Sequence, residues 1–164
     1  MSSNAPLQHT KLEGNSDYVA ALNLLCTLAQ QHLYLFEKNY ADAGYNALER
    51  YETLRKFLLS SPSNRLFVLA HDTRYLATQC PRMTMLLRQF SASMFIHQTP
   101  KNLQHLTEPF AVADAAHYVR RFHFDDTRGI AAQNDPENAL ALRSRFLEMW
   151  SVSLPAVPAT TLGL

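Results

Sequence analysis

Glu108 to Phe124 reads EPFAVADAAHYVRRFHF, two apolar runs on either side of a polar step from Asp114 to His117. Runs of this length around a turn-like step predict paired strands, and any site the chain holds is expected here. In the second run, strand alternation puts Tyr118, Arg120, Phe122 and Phe124 on one face and Val119, Arg121 and His123 on the other. The adjacent arginines therefore differ in role. Arg121 is expected to face a site at the strand ends, and Arg120 to prop the opposite side.

Working outward toward the N-terminus, Ser93 to His97 (SMFIH) and Arg65 to Ala70 (RLFVLA) are short apolar runs between turn signals. The second is continuous, the pattern of a central strand covered on both faces. Between them, Pro81 opens a helix with an apolar face of Met83, Leu86, Leu87 and Phe90. Earlier still, Asn46 and Glu49 have the spacing of a capping box ahead of a helix marked by Ala47, Tyr51, Leu54 and Leu58. His32 to Phe36 predicts an aromatic-rich strand, and Asp17 to about Gln31 an amphipathic helix built on Tyr18, Leu22, Leu25 and Ala29. Toward the C-terminus, Asp135-Pro136-Glu137 supplies a side-chain acceptor, a preset dihedral and a first-turn acid. The helix it starts buries Ala139, Leu142, Phe146 and Met149 and closes at Trp150. The predicted plan is a flexible extension over 1–15, a single α/β domain over 16–153 and a flexible tail over 154–164. Its fold class is a mixed, partly parallel sheet with helices on both faces.

The bulk composition narrows the function. A chain of 164 residues with 47% hydrophobic and 18% charged residues builds a packed core, and a net charge of +1 argues against a dedicated nucleic-acid binder. There is neither a signal-like N-terminus nor an apolar stretch long enough to span a bilayer, so a cytoplasmic location is expected. Cys26 and Cys80 lack C-x-x-C or histidine spacing and are expected as free, buried thiols. The seven histidines form no H-x-x-x-H or H-E-x-x-H pattern, and the four glycines form no phosphate loop. No metal and no cofactor is therefore predicted.

In α/β sheets, ligands favour the carboxyl ends of strands. Those predicted ends carry Lys38, His71, Asp72, His97 and Asp114, and Arg120, Arg121 and Arg128 form the one local basic concentration. Guanidinium groups suit phosphate or carboxylate recognition. The competing reading is structural. Arg120 or Arg121 would pair with Asp114, Asp125 or Asp126, and Asp114 would be a turn residue that binds backbone amides.

The element order, with FAVADAAHYVRRF followed by the DPENALALRSRFLEMW helix, resembles half of the phospholipase D superfamily fold from about Asp17 to Ser153. It is similar to an uncharacterised bacterial branch in which a strand ending in D-x-R, here Asp72-Thr73-Arg74, precedes an R-x-x-x-L-L helix, here from Arg82. Active members carry H-x-K-x4-D, which supplies a histidine nucleophile, a phosphate-holding lysine and an aspartate. With Asp114 laid on that aspartate, Thr107 falls at the histidine, Pro109 at the lysine, and Arg121-Phe122 at the accompanying Gly-Ser. Neither threonine nor proline can act as an imidazole nucleophile or a fixed ammonium. His9-x-Lys11 is the chain's only H-x-K and is read as chance. The resemblance thus implies a catalytically silent domain that binds itself as a homodimer, a small anionic ligand or a protein partner. The alternatives are a phosphodiesterase or phosphotransferase rebuilt around His71 or His97, and a nucleic-acid-binding module.

Overall fold

The computed structural model describes residues 6–158. Among them, eight strands form one mixed sheet: β1 (Gln8–Glu13), β2 (His32–Glu37), β3 (Arg65–Ala70), β4 (Met94–Gln98), β5 (Phe110–Ala113), β6 (His117–His123), β7 (Asp126–Gln133) and β8 (Leu154–Pro155). Five α-helices accompany them: α1 (Asn15–Leu28), α2 (Leu48–Ser60), α3 (Arg74–Gln79), α4 (Pro81–Gln89) and α5 (Pro136–Ser151). The strand order is β1-β7-β6-β5-β2-β3-β4-β8. Strands β2, β3 and β4 run parallel, and every other neighbouring pair is antiparallel.

The period-2 pattern of the central strands divides the core in two. Leu33 and Leu35 of β2, Leu66 and Val68 of β3, and Val119 of β6 meet the apolar stripes of α1, α2 and α4 on one face. Tyr34, Phe36, Phe110, Val112 and Tyr118 meet Ala139, Leu142, Phe146 and Met149 of α5 on the other. Helix α5 begins where the sequence places it, and the Asp135 carboxylate accepts from the Asn138 amide. The same carboxylate takes His9 Nε2 at 2.9 Å, which ties β1 to the start of α5.

Three expectations are corrected. Residues 8–13 of the supposed extension are strand β1, which pairs with β7, and neither strand is visible in local patterning because both are largely polar. Residues 154–155 of the supposed tail pair with the end of β4 as β8; residues 1–5 and 159–164 lie outside the described residues. The Asn46–Glu49 capping box does not form. The N-cap of α2 is Ala47, and Asn46 instead accepts from the Arg82 amide and guanidinium, joining α2 to α4.

Two backbone sites carry opposite constraints. Asp114 and Ala115 at the β5–β6 turn have φ of 57° and 56°, the left-handed region that costs a β-carbon about 1–2 kcal/mol. Gly129 of β7 lies opposite Arg121, and an added Cβ would overlap the Arg120 carbonyl oxygen and stand 2.9 Å from Arg121 Cα. Ala115→Gly is therefore expected to raise stability by up to about 1 kcal/mol, read as a higher denaturation midpoint. Gly129→Ala is expected to cost roughly 2–3 kcal/mol, because the obstacle is backbone and cannot rotate aside.

Candidate functional site

The carboxyl ends of β2 and β3 meet the β6–β7 turn along one edge of the sheet, where two neighbouring depressions of about 120 and 290 Å³ share Lys38, Phe124 and Asp125 in their linings. Glu37, Asn39, Asp42 and Arg121 line the smaller, and His71, Asp72, Thr107 and His123 the larger. This edge forms because β5 is antiparallel to β2, so that Phe110 lies beside Phe36 and Ala113 beside Leu33.

Strand β6, in turn, brings Arg121 to the Glu37 end. Its amide donates to the Pro109 carbonyl, its guanidinium lies 4.5 Å from the centroid of the Tyr18 ring, and Nη2 donates to the Phe124 carbonyl at 2.9 Å. Arg121 is only 7% exposed, and its Nε is buried with no acceptor among the described residues. Below it, the Tyr18 hydroxyl is hydrogen-bonded to Glu37 Oε2. Burial pushes the Glu37 carboxyl up from 4.5 to about 7, against the opposing pull of the Tyr18 hydroxyl and the Arg121 and Arg50 guanidiniums. Arg50 is wholly buried over the Tyr45 ring and donates to Asn23 Oδ1 and the Val19 carbonyl.

Neither histidine of the cleft offers a free lone pair. His71 Nε2 faces the Leu106 carbonyl at 2.7 Å and must carry the proton, so Nδ1 accepts from the Thr99 hydroxyl at 2.6 Å. Burial holds the His71 pKa down, which keeps the ring neutral. His123 Nδ1 accepts from the Asp125 amide at 3.0 Å, which puts the proton on Nε2. Asp72 is bound twice by Arg74, and that hydrogen bonding draws its carboxyl down to about 2.

Of the residues singled out in the sequence, Lys38, His71, Asp72 and Arg121 come together at this edge. Asp114 does not. The strand that carries it runs the other way, so it stands at the far edge, where its carboxylate accepts from the amides of Gln30, Gln31 and His32 at 2.7, 2.7 and 2.9 Å. His97 turns away and stacks on Trp150 at 3.8 Å, with Nδ1 on the Ser153 hydroxyl. Arg120 faces Glu108 at 3.6 Å, and Arg128 pairs with Asp126 at 2.8 Å on the surface. No arginine pairs with Asp114 among the described residues; of the two structural readings the ion pair does not form there, and the turn residue that binds backbone amides does. Glu37 and Asp42 went unread in the sequence, while His123 and Asp125 were read only as neighbours of the arginines and not as site residues. The acid at the end of the apolar run HLYLFE, next to Lys38, is the one local signal that could have drawn attention to the pair.

Among the described residues, no group of three or more His, Cys, Asp or Glu side chains is arranged to hold a metal ion, and no helix is long and apolar enough to cross a membrane. The family model of a domain of unknown function (DUF7931) matches residues 14–161. No curated protein matches the sequence. Among solved structures, the chain is similar to Nuc from Salmonella typhimurium, a phospholipase D family member, with 10% identity and a TM-score of 0.64 over 93% of this chain and 98% of that one. NucT from Helicobacter pylori is similar with 9% identity and a TM-score of 0.54 over 92% and 100%. TrmBL2, an archaeal chromatin protein described for a novel mode of DNA binding, is similar with 10% identity and a TM-score of 0.67 over 91% and 54%. The chain thus spans about half the length of TrmBL2. Identities this low establish the fold, a phospholipase D-like one, and nothing more.

Two stability experiments probe the buried cluster. The folded-state pKa of Glu37 lies above its ordinary value, so its contribution is fully present below about pH 4.5 and declines as the pH rises through about 7. Glu37→Gln keeps an acceptor for the Tyr18 hydroxyl. It should match the parent protein near pH 5 and exceed it near pH 8, by on the order of 3 kcal/mol in urea denaturation. Arg121→Ala should cost about 3 kcal/mol and Arg120→Ala under about 1, since only the first is buried; equal losses would contradict the assignment.

Proposed function

We propose that this chain, which belongs to the DUF7931 family, is a phospholipase D-like domain without covalent phosphodiester chemistry, and that it binds a small anionic ligand at the Arg121–Lys38 cleft. The observation that carries the reading is the buried Arg121 guanidinium with donor capacity to spare, beside a depression that reaches solvent. Arg121 stands beside Pro109, the position at which the resemblance expects the phosphate-holding lysine, and so offers a cation of different origin at the same edge. Thr107, at the position of the nucleophile, lines the cleft with a hydroxyl in place of an imidazole. The engaged lone pairs of His71 and His123 support the absence of a substitute nucleophile.

Titration of sulfate, followed by amide chemical shifts, tests the reading with a probe whose charge is constant over the pH range used. Saturable shifts are expected around Lys38, Arg121 and Phe124. Arg121→Lys should weaken binding about tenfold, because a point charge replaces a planar fork, and Lys38→Ala by a few-fold only. Ionised Glu37 competes with the anion for Arg121, so affinity should fall as the pH rises through about 7, and Glu37→Gln should remove that dependence. Turnover of bis-p-nitrophenyl phosphate by pure protein, abolished by His123→Ala, would replace this reading with that of a rebuilt phosphodiesterase.

A further inference from the structure

The lining of the cleft carries both signs of charge. Arg121 is buried at its base beside Glu37, whose carboxyl burial pushes up to about 7, while Asp42 and Asp125 stand exposed at its rim with Lys38. The other acid of the larger depression, Asp72, is committed to Arg74. Among the described residues neither Asp42 nor Asp125 has an arginine or lysine partner, and His123 Nδ1, 3.8 Å from the Asp125 carboxylate, is taken up by the Asp125 amide. An anion alone would satisfy Arg121 but would have to pass two rim carboxylates, each repelling it. A simple cation would be attracted by the rim and repelled at the base. A molecule with an anionic group at one end and an ammonium a few ångströms away satisfies both levels.

From this we infer that the ligand is a small zwitterion, its anionic group on Arg121 and Lys38 and its ammonium between Asp42 and Asp125. The inference rests on the anion-binding reading and specifies the ligand class. Space agrees with it: at about 30 Å³ per water, a depression of about 120 Å³ holds roughly four waters, or a compact anionic group, and the adjoining larger depression leaves room for a short chain. The buried Arg121, which lines the smaller depression and keeps a nitrogen without an acceptor, is the feature that makes this cleft a built site, where the rim carboxylates alone would be ordinary solvated surface.

The test compares O-phosphoethanolamine with ethyl phosphate, which has the same skeleton without the amine, by calorimetry on the intact chain at constant pH. O-phosphoethanolamine is expected to bind at least about tenfold more tightly. The double variant Asp42→Asn/Asp125→Asn should abolish that advantage and leave ethyl phosphate binding equal or tighter; both positions are exposed, so folding is expected to survive, and a thermal melt checks it. Ethyl phosphate binding with no gain from the amine, or a gain that persists in the double variant, overturns the zwitterion assignment and leaves the anion site intact. Binding of neither compound, with no response to sulfate, overturns both.

Discussion

A guanidinium buried against the ring of Tyr18 and close to the carboxyl of Glu37 links three elements distant in sequence: α1 through Tyr18, β2 through Glu37 and β6 through Arg121. Buried charge is tolerated only where it is compensated. Compensation here is partial, since Arg50 adds a second buried cation with an orphaned Nη1, and Glu37 is the one acid among them. The interior beneath the β2–α2 loop therefore holds two guanidiniums against one acid. That excess is the physical basis for treating the edge above it as electropositive at depth.

The direction of β5 decides what else can stand at that edge. Because β5 returns antiparallel to β2, its carboxyl end lies at the amino end of the parallel strands, and Asp114 is spent on three backbone amides there. This anchors the entry to β2 and fixes the register of β5 and β6. The register in turn delivers Arg121, rather than Arg120, to the cleft side of the sheet. Asp114 thus acts on architecture, at the far side of the sheet from the cleft.

Histidines illustrate how context removes chemistry that residue type alone would allow. His71 sits in the cleft with both nitrogens engaged and its basicity lowered by burial. His97, on the neighbouring strand, is drawn into a stack with Trp150 that closes α5 onto β4. Lys38, Arg121, Asp42 and Asp125 line that edge, and the proposed ligand site rests on them.

Elements with strong local periodicity were legible in the chain alone. RLFVLA announces a doubly covered strand, Asp135-Pro136-Glu137 starts α5, and FAVADAAHYVRRF forms the β5–β6 hairpin with its two arginines on opposite faces. The lack of a histidine and lysine ahead of Asp114 is likewise a property of the residues themselves. Strands β1 and β7 were not legible, because they are polar; β7 pairs with its sequence neighbour β6, but β1 finds its one partner, β7, more than a hundred residues away. Nor were the burial of Arg121, the raised pKa of Glu37 or the separation of Asp114 from Lys38. Each depends on strand direction and on which side chains enclose a charge, and long-range pairing and desolvation settle both only when the chain has folded.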